Sequence, residues 1–150
     1  MQKITPFLWF DNNLQDAISF YQSVFKNVTV HSINKMGDQV FSGTFEIEGQ
    51  AFYALNGGPQ FKFTPAISFF ISCDTQEEID YYWSKLLEGG GREDMCGWLQ
   101  DKFGLSWQVV PTALGRMMGD KDPQKVQSVA TALRQMRKLD IAALEKAFEG

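Results

Sequence analysis

A chain of 150 residues, 44% hydrophobic and 21% charged, suits one domain with one substantial core, or two small repeats that share it. Its formal charge of −4, from 14 basic against 18 acidic residues, offers no basic stripe for a phosphate backbone, which excludes nucleic acid as a partner. No apolar run is long enough to span a bilayer, and the opening Met1-Gln2-Lys3-Ile4-Thr5-Pro6 lacks a secretory leader, so no membrane and a cytoplasmic location are expected. Cys73 and Cys96 have no CxxC spacing, so structural zinc is not expected; the thiols are read as reduced, with a single disulfide left open. The 13 Phe, 4 Trp and 4 Tyr suit a core and equally a pocket lined by rings.

Ile4 to Phe10 reads as a strand with apolar residues on both faces, and Asp11-Asn12-Asn13 offers helix N-caps. Leu14, Ala17, Ile18, Tyr21 and Phe25 then recur three or four residues apart, as one face of a helix does. After that the period drops to two. Val28 to Asn34 reads as a strand, Gly37-Asp38 as a turn, and Phe41, Gly43, Phe45 and Ile47 alternate along the next strand. Gly49 turns the chain into a further strand, Ala51 to Leu55.

The same grammar then recurs. Ala66 to Ile71 is a strand, Thr75 and Glu78 form a capping box, and Ile79, Tyr82, Leu86 and Leu87 follow at helical spacing up to Gly89-Gly90-Gly91. A shift of 61 positions lays Phe10 on Ile71, Ile18 on Ile79, Tyr21 on Tyr82 and Phe25 on Leu86 without a gap, as an internal duplication would. Glu93 to Gln100 and Leu105 to Val110 read as strands about an Asp101-Lys102-Phe103-Gly104 turn, leaving the second repeat one strand short. In the tail, Asp122-Pro123 opens one helix, with Val126, Val129, Leu133 and Met136 on a face. Asp140 opens another, with Ile141, Leu144 and Phe148 on a side. Such stripes must dock on the domain or on a second subunit.

The expected fold is therefore α+β: one domain over 1–150, made of a first βαβββ repeat (1–60), a shorter second repeat (61–115) and a helical appendage (120–150).

Among chemistry-bearing residues, His31 is the only histidine. It could serve as a general base, but without supporting residues a satisfied or solvent-facing histidine fits better. Cys96 and Trp98 would share one strand face, as a soft pocket wall or as a buried thiol beside a core ring. Glu46 and Glu48 alternate outward beside Gly49, the pattern of a solvated face. Gly89-Gly90-Gly91 follows a helix and precedes no Lys-Ser/Thr helix start, so it is no phosphate loop. Nor is there a Gly-rich strand–turn–helix motif for a dinucleotide or adenosylmethionine.

Three segments carry a resemblance: Ile4-Thr5-Pro6-Phe7-Leu8-Trp9-Phe10 with Phe20-Tyr21; Asp101-Lys102-Phe103-Gly104-Leu105-Ser106-Trp107-Gln108; and Met136 to Leu144. They resemble the PhnB-like branch of the vicinal-oxygen-chelate superfamily of glyoxalases, bleomycin-resistance proteins and dioxygenases, whose older label is 3-demethylubiquinone-9 3-methyltransferase-like. The resemblance implies paired βαβββ modules whose curved sheets enclose a pocket, commonly in homodimers. In metal-using members, a His or Gln opening the first strand of each repeat and a Glu near each last strand hold a divalent metal that chelates two substrate oxygens. Carried over, these positions fall on Thr5, Ala66 and Gln108, and Phe52 to Asn56 contains no carboxylate. No metal and no cofactor are therefore expected.

Parity with those positions puts Thr5, Phe7, Trp9, Ser68, Phe70 and Gln108 on the concave face; with Cys96 and Trp98 they make up the expected ligand pocket. The same aromatic set also describes a dry core. The function this implies is a metal-free module binding a small hydrophobic or aromatic molecule, as a homodimer, without glyoxalase or methyltransferase chemistry. The runner-up is a lyase, isomerase or dioxygenase using a metal through atypical ligands, or using Cys96 or His31. A protein-interaction role through the tail is a third.

Overall fold

The structure, a computed structural model, describes residues 2–150. They form two compact units, the first running to Phe63 and the second from Thr64 to Gly150.

In the first unit β1 (Phe7–Phe10) leads into α1 (Leu14–Val24), then β2 (Val28–Met36), β3 (Gln39–Ile47) and β4 (Gln50–Asn56). The sheet order is β1-β4-β3-β2, with β1 parallel to β4 and the other pairs antiparallel. The strands before and after α1 thus lie at opposite edges, so the helix must cross one face of the sheet. It covers that face with Leu14, Ala17, Ile18, Tyr21 and Val24 and meets Leu8, Phe10, Phe45, Ile47, Phe52 and Ala54, all buried. Because side chains alternate along a strand, the other face carries Phe7, Trp9, Thr44, Glu46, Ala51 and Tyr53, and α1 leaves it open.

Two sequence expectations fail here for local reasons. Asn13 precedes the helix without a side-chain cap; Asn56, from the end of β4, accepts the Leu14 N–H instead (2.9 Å) and donates to the Val40 carbonyl (3.1 Å). Phe41 was expected to alternate inward with Gly43. The register jumps from Asn34↔Ser42 to Lys35↔Val40, so Phe41 sits in a β-bulge and is exposed, while Val40 turns inward.

The second unit repeats the topology. β5 (Ser68–Cys73), α2 (Gln76–Leu87), β6 (Arg92–Glu93), β7 (Trp98–Gln100) and β8 (Ser106–Pro111) pair in the order β5-β8-β7-β6, with β5 and β8 parallel. This repeat is not one strand short. The expected run Glu93 to Gln100 is two strands, broken where Cys96 (φ 62°) and Gly97 (φ 83°) take consecutive left-handed conformations. The capping box is present, with Thr75 Oγ1 accepting from Glu78 N (3.2 Å) and Glu78 Oε1 accepting from Asp74 N (2.9 Å). Ile79, Trp83 and Leu86 are the buried face of α2. Tyr82 matches Tyr21 in type but not in place, since the helix turns Trp83 inward instead.

Three helices follow: α3 (Thr112–Met118), which the sequence reading missed, α4 (Pro123–Leu133) and α5 (Ile141–Glu149). Asp122 caps α4 through Gln124 N (2.9 Å), and Asp140 caps α5 through Ala143 N (3.1 Å). The tail docks. Val110, Met117, Val129, Leu139 and Leu144 form one buried cluster. The backbone N–H groups of Cys96 and Gly97 donate to the carbonyls of Met136 and Arg137 (2.8 Å each). Leu139 lies so close to Gly97 that a Cβ there would meet it at 3.1 Å. Gln76 completes the clamp, donating to the Leu139 carbonyl (3.0 Å) and accepting the Ile141 N–H (2.8 Å).

Candidate functional site

On the open face of the first sheet lies a cavity of about 650 Å³, lined by Gln2, Thr5, His31, Thr44, Glu46, Gly49, Ala51 and Tyr53. Strand alternation sends Thr44 and Glu46 of β3 and Ala51 and Tyr53 of β4 to this face, while Phe45 and Phe52 point to α1. Thr5 reaches it from the segment before β1. His31 sits at a bulge: the β2 register jumps between Val30 and Ser32, leaving His31 unpaired in the ladder. Its imidazole Nε2 lies 2.9 Å from Glu46 Oε2. The carboxylate can only accept, so Nε2 carries the proton in that bond.

Of the expected pocket residues, Thr5 lines the cavity. Phe7 sits beside it, half-exposed, packing edge-on against Tyr53 at 6.0 Å between ring centroids. Trp9 has partners in its own chain. Its indole N–H donates to the Gly58 carbonyl (3.0 Å), and its ring meets Phe61 at 4.9 Å. A Cβ on Gly57 would overlap that indole, so glycine there lets the chain fold over Trp9.

In the second sheet, Ser68, Phe70, Trp98 and Gln108 come together on one face through the pairings Ser68↔Ser106, Phe70↔Gln108 and Trp98↔Gln108. Gln108 Nε2 donates to Ser68 Oγ (2.9 Å). Cys96 does not join Trp98 on a strand face, as expected from sequence, because it stands in the left-handed turn that splits β6 from β7. Cys73 faces α2, fully buried; burial, then the Glu78 and Asp74 carboxylates, push its thiol up to about 12. That thiol is no nucleophile.

The motif Asp101-Lys102-Phe103-Gly104-Leu105-Ser106-Trp107 is a structural clamp rather than a site. Asp101, buried, accepts through Oδ1 from Phe103 N (2.9 Å) and Leu105 N (3.1 Å), and through Oδ2 from Trp107 Nε1 (2.9 Å). Those three bonds fix the β7–β8 turn.

A divalent metal at the superfamily positions does not fit the donors present. Thr5 offers a neutral hydroxyl, Ala66 lies in an exposed turn and has no donor atom, and the Gln108 amide is engaged with Ser68. Among the described residues no three His, Cys, Asp or Glu cluster closely enough to hold an ion. The pair that sequence reading left apart is His31 and Glu46. Counting the β2–β3 hairpin back from its Gly37-Asp38 turn would have set Glu46 opposite Thr29, two residues from His31.

Residues 2–110 match the 3-demethylubiquinone-9 3-methyltransferase family. The match ends before α3, so the Met136–Leu144 segment lies beyond it, and the first two segments carry the family. The PhnB protein of Bacillus cereus is 35% identical over 74% of this chain and 100% of its own, with a TM-score of 0.68. Protein PA1353 of Pseudomonas aeruginosa shares 21% identity over 74% of this chain and 98% of its own, at a TM-score of 0.63. The Listeria monocytogenes fosfomycin resistance protein FosX, solved with Mn(II) and sulfate, shares 12% over 74% of this chain and 90% of its own (TM-score 0.54), a likeness of fold alone. A search of curated proteins found no match. With two βαβββ repeats of the same strand order and a family match over most of its length, the chain belongs to the PhnB-like, 3-demethylubiquinone-9 3-methyltransferase-type family.

Proposed function

We propose that the chain is a small-molecule-binding module that holds a largely apolar ligand on the open face of its first sheet without a metal. The observation that carries this reading is the cavity of about 650 Å³, a size typical of small-ligand sites, bounded by Thr5, Ala51, Tyr53 and the His31–Glu46 pair. Thr5 stands where metal-using relatives place an imidazole or amide, and the donors at all three carried-over positions suit hydrogen bonding better than a divalent ion. The proposal includes a homodimer. Met36 and Phe41, exposed on the β2–β3 hairpin, support it by leaving apolar surface that a second copy would cover. Native mass spectrometry of untagged protein tests all three parts. We expect a dimer mass, no metal increment and an organic ligand of a few hundred daltons or less. A stoichiometric zinc, nickel, iron or manganese increment would overturn the metal-free reading.

A further inference from the structure

The His31–Glu46 pair sets the kind of ligand the cavity takes, an inference that rests on the binding reading above. Glu46 holds the imidazole by Nε2 (2.9 Å), so the second ring nitrogen, Nδ1, is the lone-pair acceptor when the ring is neutral. The remaining polar lining residues are Gln2, Thr5, Thr44 and Tyr53, and among the described residues no Lys or Arg lines the cavity. Its fixed charge is therefore the Glu46 carboxylate. An anion entering beside it gains no arginine or lysine partner and is repelled, by about tenfold or more in affinity at contact distance. A cation would have to share the Glu46 carboxylate with His31, whose imidazole already takes Oε2. A neutral hydroxyl meets neither obstacle and supplies the proton that Nδ1 lacks. The Phe7–Tyr53 edge pair beside the cavity supplies ring surface for an apolar body.

We infer that the first-sheet cavity binds neutral, ring-bearing hydroxy compounds such as phenols, with the hydroxyl donated to His31, and discriminates against carboxylates, phosphates and phosphonates through Glu46. The test uses three probes of one shape, p-cresol, toluene and p-toluate, titrated into the full-length protein while the amide signals of Thr44 and Ala51 are followed by NMR. The wild type should bind p-cresol at least tenfold more tightly than toluene, and p-toluate more weakly than either. Glu46→Gln keeps an acceptor for the Nε2–H but removes the charge, so p-toluate should gain at least tenfold. His31→Phe should erase the advantage of p-cresol over toluene. If no probe shifts the Thr44 or Ala51 signals, the binding reading itself fails. If toluene binds as well as p-cresol and Glu46→Gln leaves p-toluate unchanged, the cavity stands and the assignment to His31 and Glu46 is overturned.

Discussion

Replacing Asp101 by asparagine alters one atom in a carboxylate that accepts three hydrogen bonds at 2.9, 3.1 and 2.9 Å. The amide has one oxygen. If that oxygen keeps the Phe103 and Leu105 amides, its NH₂ faces the Trp107 indole N–H, two donors meeting in a buried site. If it is turned to the indole, the NH₂ faces two backbone donors. Either way a buried donor loses its acceptor, and a bond to a charged group contributes about 1.5–3 kcal/mol. We expect Asp101→Asn to cost about 2–3 kcal/mol and Asp101→Ala about 3–5 kcal/mol, since alanine strands all three donors. The check is a urea midpoint at constant slope, read by tryptophan fluorescence and circular dichroism. Trp107→Phe removes the indole donor, so in that background the asparagine substitution should cost about 1–2 kcal/mol less, a coupling visible in a double-mutant cycle. An asparagine cost below about 0.5 kcal/mol, or one unchanged by Trp107→Phe, would refute the clamp.

Two further outcomes follow from side chains of the second unit. Cys73, raised from 9.0 to about 12, stays a neutral thiol in the fold after an unfolded chain would ionise it. Its contribution to stability is therefore complete below pH 9 and is lost as pH rises from there towards 12. Between pH 9 and 11 the wild type should lose about 1–2 kcal/mol more than Cys73→Ala, and parallel melting curves across that range would contradict the assignment. Gln76→Ala breaks the bonds to Leu139 and Ile141 that join α2 to the start of α5. We expect faster hydrogen exchange at Ile141, a loss of about 1–2 kcal/mol and no change at the β3–β4 amides; an unchanged Ile141 rate would refute the clamp.

How much of this was legible depends on which interactions set each feature. The α1 face, the Thr75–Glu78 box and the Asp122 and Asp140 caps were all readable, because helical spacing and capping act within a turn of chain. Features set by pairing across strands were not. Phe41 looks inward by simple alternation, and only the bulge against Asn34 and Lys35 sends it outward. Tyr82 and Trp83 are adjacent large aromatics, and only the packing of α2 on its sheet decides which is buried. Glu93 to Gln100 reads as one strand because Cys96 gives no hint of a positive φ, a conformation that β-carbon sterics disfavour and that the Met136 and Arg137 carbonyls help to hold. The candidate site suffered most. Thr5 was found through the family position, but the pairing of His31 with Glu46 joins two strands, and it shows only once the hairpin register is counted.

The two repeats have diverged in what occupies their open faces. In the second, Val110 shares the parity of Gln108 and is drawn into the tail cluster with Leu139 and Leu144, so the helices that extend past the family match cover the β8 end of that face. Gln108, at a position where metal-using relatives carry a carboxylate, is held instead by Ser68 across the parallel β5–β8 pair. The first repeat has neither device. Its face keeps a cavity, its carried-over position holds only the Thr5 hydroxyl, and its hydrogen-bonded His31–Glu46 pair stands on the β2–β3 hairpin. Gln108 has one end of its amide spent on Ser68, whereas His31, held by Glu46 through Nε2, lines a cavity and keeps Nδ1 for a further bond. Under the proposed binding reading, ligand recognition falls to the first repeat, while the second carries the tail.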